Sequence, residues 1–294
     1  MSADLQVNTY WARTGSADAD GDQSSYRGRV DWNADRYGLN VEHLFVGDDF
    51  NPEVGFLRRE AFRRSYGQAR FSPRPKDFLD VRKFSYIASA DYITGAAGGV
   101  QSEEYQGQFN AEFNRGDFFN SEVTNAFEAI TEPFQVARGV FVPPGEYRFT
   151  QGKLSYYMGL QRRISGGISL GYGGFYAGTL TEASWRGRVE FTPQLYAEPT
   201  LSWNRIDAPF GKGNTNLLAT RLTYTVTPRM FVAALVQYTS INAAMSTNLR
   251  FRWEYQPCSE LFVVYSDGRT TIGEGYPDMQ NRSFVVKVTK LFRW

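Results

Sequence analysis

Arg282 to Trp294 reads R-S-F-V-V-K-V-T-K-L-F-R-W, and its alternation decides the fold. Phe284, Val286, Val288, Phe292 and Trp294 share one parity, while Ser283, Lys287, Thr289 and Arg293 share the other. Successive side chains of a strand point to opposite faces, so this segment has an apolar face and a polar one. The same alternation recurs upstream. Leu249, Phe251, Trp253 and Tyr255 oppose Asn248, Arg250, Arg252 and Glu254. Leu218, Leu222, Tyr224 and Val226 oppose Arg221, Thr223 and Thr225. Trp185, Val189 and Phe191 oppose Arg186, Arg188 and Glu190, and Tyr105, Phe109 and Ala111 oppose Glu104, Gln108 and Glu112. Near the start, Tyr26, Val30 and Trp32 oppose Arg27, Arg29, Asp31 and Asn33. Period-two patterning without a sustained helical period signals strands.

The pattern predicts sixteen strands, near 4–13, 24–34, 37–46, 66–72, 81–94, 100–114, 118–131, 145–158, 164–177, 179–191, 195–206, 215–226, 230–241, 245–256, 259–268 and 281–293. The weak turn Ala177-Gly178 and the short fourth strand leave fourteen or eighteen open. A soluble β-sandwich would also alternate, but its strands run to about 5–6 residues. Those here reach the roughly 9–11 residues that a tilted strand needs to cross a bilayer. The polar face also carries too much Arg and Glu for a packed interior. The expected fold is therefore all-β, a transmembrane antiparallel up-and-down β-barrel forming a single domain over 1–294 in a bacterial outer membrane.

Composition agrees. Mean hydropathy of −0.43 would place the chain among soluble proteins, yet half of each barrel strand faces a polar lumen. Aromatic residues make up 16% of the chain, which suits girdles at two membrane interfaces. Net charge +1 argues against nucleic acid, and a single cysteine, Cys258, excludes an internal disulfide or a cysteine metal cluster. Export is required and no signal peptide is visible, so the chain reads as a mature piece. Connections give a further check, because outer-membrane barrels alternate long extracellular loops with short periplasmic turns. Long connections are expected near 14–23, 47–65, 132–144, 206–214 and 268–281, and tight ones at Ala34–Arg36, Arg115-Gly116, Pro193-Gln194, Thr227–Arg229 and Pro257–Ser259; the fourth, Ser72–Asp80, is longer than this scheme gives, and the fifth and ninth are shorter.

Several segments are similar to one family: G-D-D-F-N-P-E-V-G-F-L-R-R (Gly47–Arg59), A-L-V-Q-Y-T-S (Ala234–Ser240), N-L-R-F-R-W-E-Y (Asn248–Tyr255), S-E-L-F-V-V-Y-S-D-G-R (Ser259–Arg269) and the terminal strand. They resemble the C-terminal outer-membrane β-barrel of bacterial proteins that carry an N-terminal carbohydrate-binding-family-9-like module. The resemblance implies a barrel in the outer membrane and implies no reaction. The carbohydrate-binding-like module is not in this sequence.

A sixteen-stranded barrel encloses an aqueous lumen unless something fills it. By parity the lumen wall carries Arg27, Arg29, Asp31, Glu104, Glu112, Glu122, Arg148, Lys153, Arg186, Arg188, Glu190, Arg221, Arg250, Arg252, Glu254 and Lys287. Charges of both signs can pair across the ladder and hold the wall. They can equally set a transverse field that orients solutes. The basic run Arg186, Arg188, Arg221, Arg250 and Arg252 leans toward anionic or sugar-like solutes.

Loop 47–65 is the candidate constriction: Asp48, Asp49 and Glu53 precede Arg58, Arg59, Arg63 and Arg64, with Phe50, Val54, Phe56, Leu57 and Phe62 between them. It folds into the lumen, caps the mouth, or docks a module or partner. Asp48 and Asp49 offer oxygen ligands to Ca²⁺ but lack the spaced pattern of a calcium loop. No metal, cofactor or catalytic residue is assigned and no enzyme is expected: the only histidine, His43, shares parity with Leu39, Val41 and Phe45. Expected partners are outer-membrane lipid, the barrel-assembly machinery through the C-terminal strand, and small polar solutes or saccharides. Two functions stay open, a channel and a loop-plugged anchor or assembly platform.

Overall fold

The computed structural model describes residues 4–15, 20–52, 59–76, 78–96, 98–272 and 277–292. Its first strands are β1 (Leu5–Arg13), β2 (Ser24–Asn33), β3 (Tyr37–Val46), β4 (Phe62–Phe71), β5 (Val81–Gly95), β6 (Val100–Phe113) and β7 (Phe118–Ile130). A small pair, β8 (Phe134–Ala137) and β9 (Val140–Val142), follows. Then come β10 (Gly145–Met158), β11 (Ile164–Phe175), β12 (Gly178–Thr192), β13 (Leu195–Ala208) and β14 (Gly211–Thr227). The last are β15 (Met230–Thr239), β16 (Ala244–Gln256), β17 (Ser259–Thr270) and β18 (Asp278–Thr289).

Sixteen strands form one sheet in the order β1 to β7, then β10 to β18, while β8 pairs with β9 alone. The ladders from β1 to β7 and from β13 to β18 are all antiparallel. This is the expected all-β, up-and-down topology of a transmembrane β-barrel, with the expected sixteen strands in the sheet.

The chain divides into two compact units. One comprises Met1–Phe134, Val142–Leu154 and Gly173–Thr179; the other comprises Gln135–Phe141, Ser155–Tyr172 and Leu180–Trp294.

Face exposure separates a membrane sheet from a sandwich. In the first unit Leu39 is 47% exposed, and Val30, Val41, Tyr86 and Tyr105 are exposed beside it. In the second unit Leu218, Leu222, Leu249 and Trp253 are exposed, and Phe284 reaches 67%. A sandwich would bury this face, and burial of a Leu or Phe is worth roughly 1.5–3 kcal/mol. Here hydrocarbon takes the place of a partner sheet. At one edge of the face the rings of Tyr37, Phe71, Tyr86, Phe109 and Phe119 run in sequence, with neighbouring centroids 5.2–6.3 Å apart. Such a band suits the bilayer interface.

In the first unit this aromatic band marks the end where β2 turns into β3, here the turn end; the opposite end is the loop end. Two turns repeat one local device. Thr192 Oγ1 accepts the N–H groups of Gln194 and Leu195 at 3.3 and 3.0 Å, and Thr227 Oγ1 accepts the Arg229 N–H at 3.3 Å. Each Thr precedes a proline whose ring presets φ for the turn. Gly116 supplies φ 81° at another turn, and Cys258 is exposed at φ 59° in the β16–β17 turn.

Three expectations need correction. β4 begins at Phe62, so Arg63 and Arg64 are strand residues rather than loop residues. The long loop expected at 206–214 is absent, because β13 runs to Ala208 and β14 starts at Gly211. The loop expected at 132–144 contains the β8–β9 pair, turned at Gly139 with φ 73°.

Candidate functional site

The inward face is built from residues whose parity opposes the exposed apolar set. In the first unit the register aligns Arg29, Glu42, Tyr66, Asp91 and Glu104 across β2 to β6. Glu42, 6% exposed, is the hub. It pairs with Arg27, accepts from Arg64 at 3.2 Å and lies 3.8 Å from Arg29. Arg64 also grips Asp91 at 2.6 Å, Arg29 reaches Asp31 at 2.9 Å, and Asn40 donates to Asp31 at 2.8 Å. Charges of both signs here neutralise one another across four strands, the wall-holding arrangement. Parity alone places Arg27 and Arg29 on this wall; Arg64, expected in loop 47–65, joins them from β4, and Glu42 and Asp91, which sequence reasoning missed, are brought in only by the register. Gln108 donates to Glu122 at 3.2 Å, and Glu112 pairs with Arg82 at 2.8 Å near the turn end.

Arg148 corrects one assignment to the lumen wall. It pairs with Glu103 at 2.8 Å and lies over the Phe127 ring, on the face of Tyr105 rather than that of Glu104. Its strand parity, shared with Leu154 and Tyr156, is that of the exposed apolar set. Lys153, two and a half pleats along, has the opposite parity, so the two residues cannot share a wall.

The second unit carries a different inward face. Arg188 lies 3.8 Å from Glu190 and covers the Tyr196 ring at 4.0 Å, while Arg252 pairs with Glu260 at 2.7 Å. Between them Glu198 faces Arg221 in the β13–β14 register, and Arg221 and Asn248 both flank Leu235. Among the described residues Arg186, Arg221 and Arg250 have no ion-pair partner; Arg250 lies over the Phe262 ring at 5.5 Å. A recess of about 310 Å³ opens here, lined by Tyr196, Glu198, Arg221, Phe231, Asn248 and Arg250 among others. Glu254 accepts the Cys258 N–H at 3.2 Å, which ties it to a turn.

Of the candidate constriction residues, Glu53 and Arg58 lie outside the described residues, as do Val54, Phe56 and Leu57. Asp48 and Asp49 act as backbone acceptors: Asp22 N–H donates to Asp48 at 2.7 Å and Gly21 N–H to Asp49 at 2.5 Å. That use of their oxygens closes loop 14–23 onto the start of the next one. Among the described residues no group of three or more His, Cys, Asp or Glu could hold a metal. Arg59 donates to Gln101 at 3.2 Å, and Arg63 donates to the Ala96 carbonyl at 2.7 Å while covering Phe45. His43 Nδ1 meets Ser65 Oγ at 3.0 Å on the outward face.

Asp22 stabilises its loop in a pH-dependent way. The Ser24 hydroxyl and N–H bind its carboxylate at 2.6 and 2.8 Å and hold its pKa below the ordinary carboxylate value. A depressed carboxyl contributes fully above the unfolded value and loses that contribution as pH falls through the folded one. We expect Ser24 amide protection, corrected for intrinsic exchange, to hold from neutral pH down to about 4 and to fail below that. Asp22→Asn removes that step; a step that persists in the variant excludes Asp22 as its source.

At the loop end, five rings of the first unit form a cluster that sequence reasoning missed. Tyr176 stacks edge-on with Phe134, Tyr147 and Phe175 at 4.7–5.5 Å, contacts Phe149 at 5.2 Å, and donates to Glu128 at 3.0 Å. Burial, then the Glu128 charge, pushes the Tyr176 phenol well above its ordinary range. In the second unit, the hairpin turn sits on β13–β14. Ala137 is fully buried, Val140 is 3% exposed, and Ile206 and Ala208 are buried with them. The seat is made of glycines: a Cβ on Gly213 would lie 2.8 Å from Ala137 Cβ, and one on Gly211 would lie 3.3 Å from Val140. Ile206 and Ala208 share parity with Glu198, so the hairpin rests on the inward face. The V-A-R-G-V-F-V run, alternating about a glycine, was the available sign.

Strand length, exposed apolar face and charged inward face define the class: an outer-membrane β-barrel. No protein-family model and no curated protein matches the chain. Among solved structures it is similar to a mutant ferric enterobactin receptor (PfeA) of Pseudomonas aeruginosa, with TM-score 0.46 and 11% identity over 96% of this chain and 58% of that one. It is also similar to another mutant of that receptor in complex with enterobactin, with TM-score 0.43 and 12% identity over 96% and 59%. The chain thus spans less than two thirds of the length of these receptors.

Proposed function

We propose that the chain is an outer-membrane channel for small polar solutes. The observation that carries this reading is the uneven compensation of inward charge. Glu42 and its partners close a neutral network in the first unit, whereas Arg186, Arg221 and Arg250 keep no counter-ion among the described residues of the second. A wall needs paired charges for stability; unpaired arginines on an inward face favour anions. The constriction on this reading is the β8–β9 hairpin, whose buried apolar contacts hold it on the inward face. Saccharide passage accords with the resemblance to barrels that carry a carbohydrate-binding-like module.

The purified chain in a planar bilayer gives discrete conductance steps with anion-selective reversal potentials. Exchanging Arg221 and Arg250 for Glu moves the reversal potential toward cation selectivity. A silent bilayer overturns the channel. It would favour the second reading, a loop-closed anchor for an N-terminal module or a partner complex, for which the firmly seated hairpin is the supporting observation. Delivery through the barrel-assembly machinery, by way of the C-terminal strand, belongs to both readings; Arg293 and Trp294 lie outside the described residues.

A further inference from the structure

We propose that the recess on the inward face of β13–β16 is a binding site for a sugar acid, a pyranose ring bearing one carboxylate. The inference rests on the channel reading only for how the solute arrives; the site itself follows from its lining. Its volume, about 310 Å³, is at the lower end of ligand pockets and fits one ring rather than an oligosaccharide. Arg221 and Arg250 both line it and neither has a carboxylate partner among the described residues, unlike Arg188 and Arg252 on either side. Guanidinium groups match a carboxylate in planar, bidentate geometry.

The remaining residues select against other anions. Tyr196 and Phe231 add apolar ring surface, which suits the C–H face of a pyranose and gives nothing to an inorganic anion. Arg188, stacked on Tyr196 at 4.0 Å, fixes one of those rings. Glu198 accepts hydroxyl hydrogens, a function a free phosphate does not need and a polyanion is repelled by. Asn248 is oriented by its bond to Ser266 at 2.7 Å, leaving an amide oxygen for a second hydroxyl. Two arginines against one glutamate leave a single net positive charge, the complement of a monoanion. A neutral sugar leaves both arginines without a counter-charge, and phosphate leaves the aromatic surface bare.

The test is calorimetric titration of the purified full chain in detergent with galacturonate, galactose and inorganic phosphate, alongside the bilayer recordings. Galacturonate binds about tenfold or more tightly than either competitor, the scale expected when a charge-assisted hydrogen bond is present or lost. The double variant Arg221→Gln/Arg250→Gln loses that preference. Glu198→Gln strengthens galacturonate and phosphate binding together, a gain that misfolding cannot produce. Equal affinity for galactose, phosphate binding as tight as galacturonate, or an unchanged double variant each overturns the site. Galacturonate binding in a chain that conducts nothing keeps the site and removes the channel; conductance without that preference does the reverse.

Discussion

Glu42→Ala lowers stability by about 2 kcal/mol, measured as a fall in the temperature at which the heat-modifiable band converts on a gel. Removing one partner from a fully buried pair costs about 3–5 kcal/mol, because the surviving charge is stranded. Here the carboxylate is 6% exposed, but Arg27 and Arg64 keep 29% and 31% of their surface in solvent, which lowers the figure. Three arginines lose their common partner at once; Arg64 keeps Asp91 and Arg29 keeps Asp31, while Arg27 keeps no second carboxylate among the described residues. Glu42→Gln keeps the acceptor oxygen and falls between the variant and the parent. Arg74→Ala, which removes the exposed pair with Asp35 at a turn, leaves the conversion temperature unchanged. A shift as large for Arg74→Ala as for Glu42→Ala would show that burial of the network is not what holds the wall.

Gly213→Leu lifts the hairpin from its seat. Even a single Cβ would come within 2.8 Å of Ala137 Cβ and 3.2 Å of Val140 Cγ2, and a branched side chain demands more room than the contact has. Overpacking of this kind costs about 1–3 kcal/mol, enough to raise the open population by about fivefold to a hundredfold. Tryptic cleavage at Arg138 in the hairpin turn rises accordingly, and open-state conductance rises with it. Gly107→Ala is the control, since a Cβ there has nothing within 4 Å. If Arg138 is cut no faster in Gly213→Leu, the glycine seat does not hold the hairpin.

Much of this was legible from parity. Alternation placed Phe284, Val286 and Val288 on the exposed face, and Arg221, Arg250 and Arg252 opposite it, because the period of a strand is two whatever surrounds it. Register was not legible. Glu42 lies 22 residues from Arg64 in sequence, and nothing local says that they touch. Strand ends also misled. Arg63 and Arg64 fall outside the fourth strand expected at 66–72, yet in β4 one is neutralised by Asp91 and Glu42 and the other rests on Phe45. Gly211-Lys212-Gly213 falls in the long connection expected at 206–214, but belongs to β14. Gly213 is small because the hairpin needs its space, and Gly211 meets both demands, since its φ of 144° also suits glycine.

The single thiol of Cys258 stands exposed in the turn between β16 and β17, at the end of the second unit opposite the hairpin seat on β13–β14. It therefore gives every molecule one chemical address on one side of the membrane. A membrane-impermeant maleimide, added from either side, reports the orientation in which each copy inserted. A spectroscopic label on the same sulfur supplies a fixed origin for measuring how far the hairpin moves.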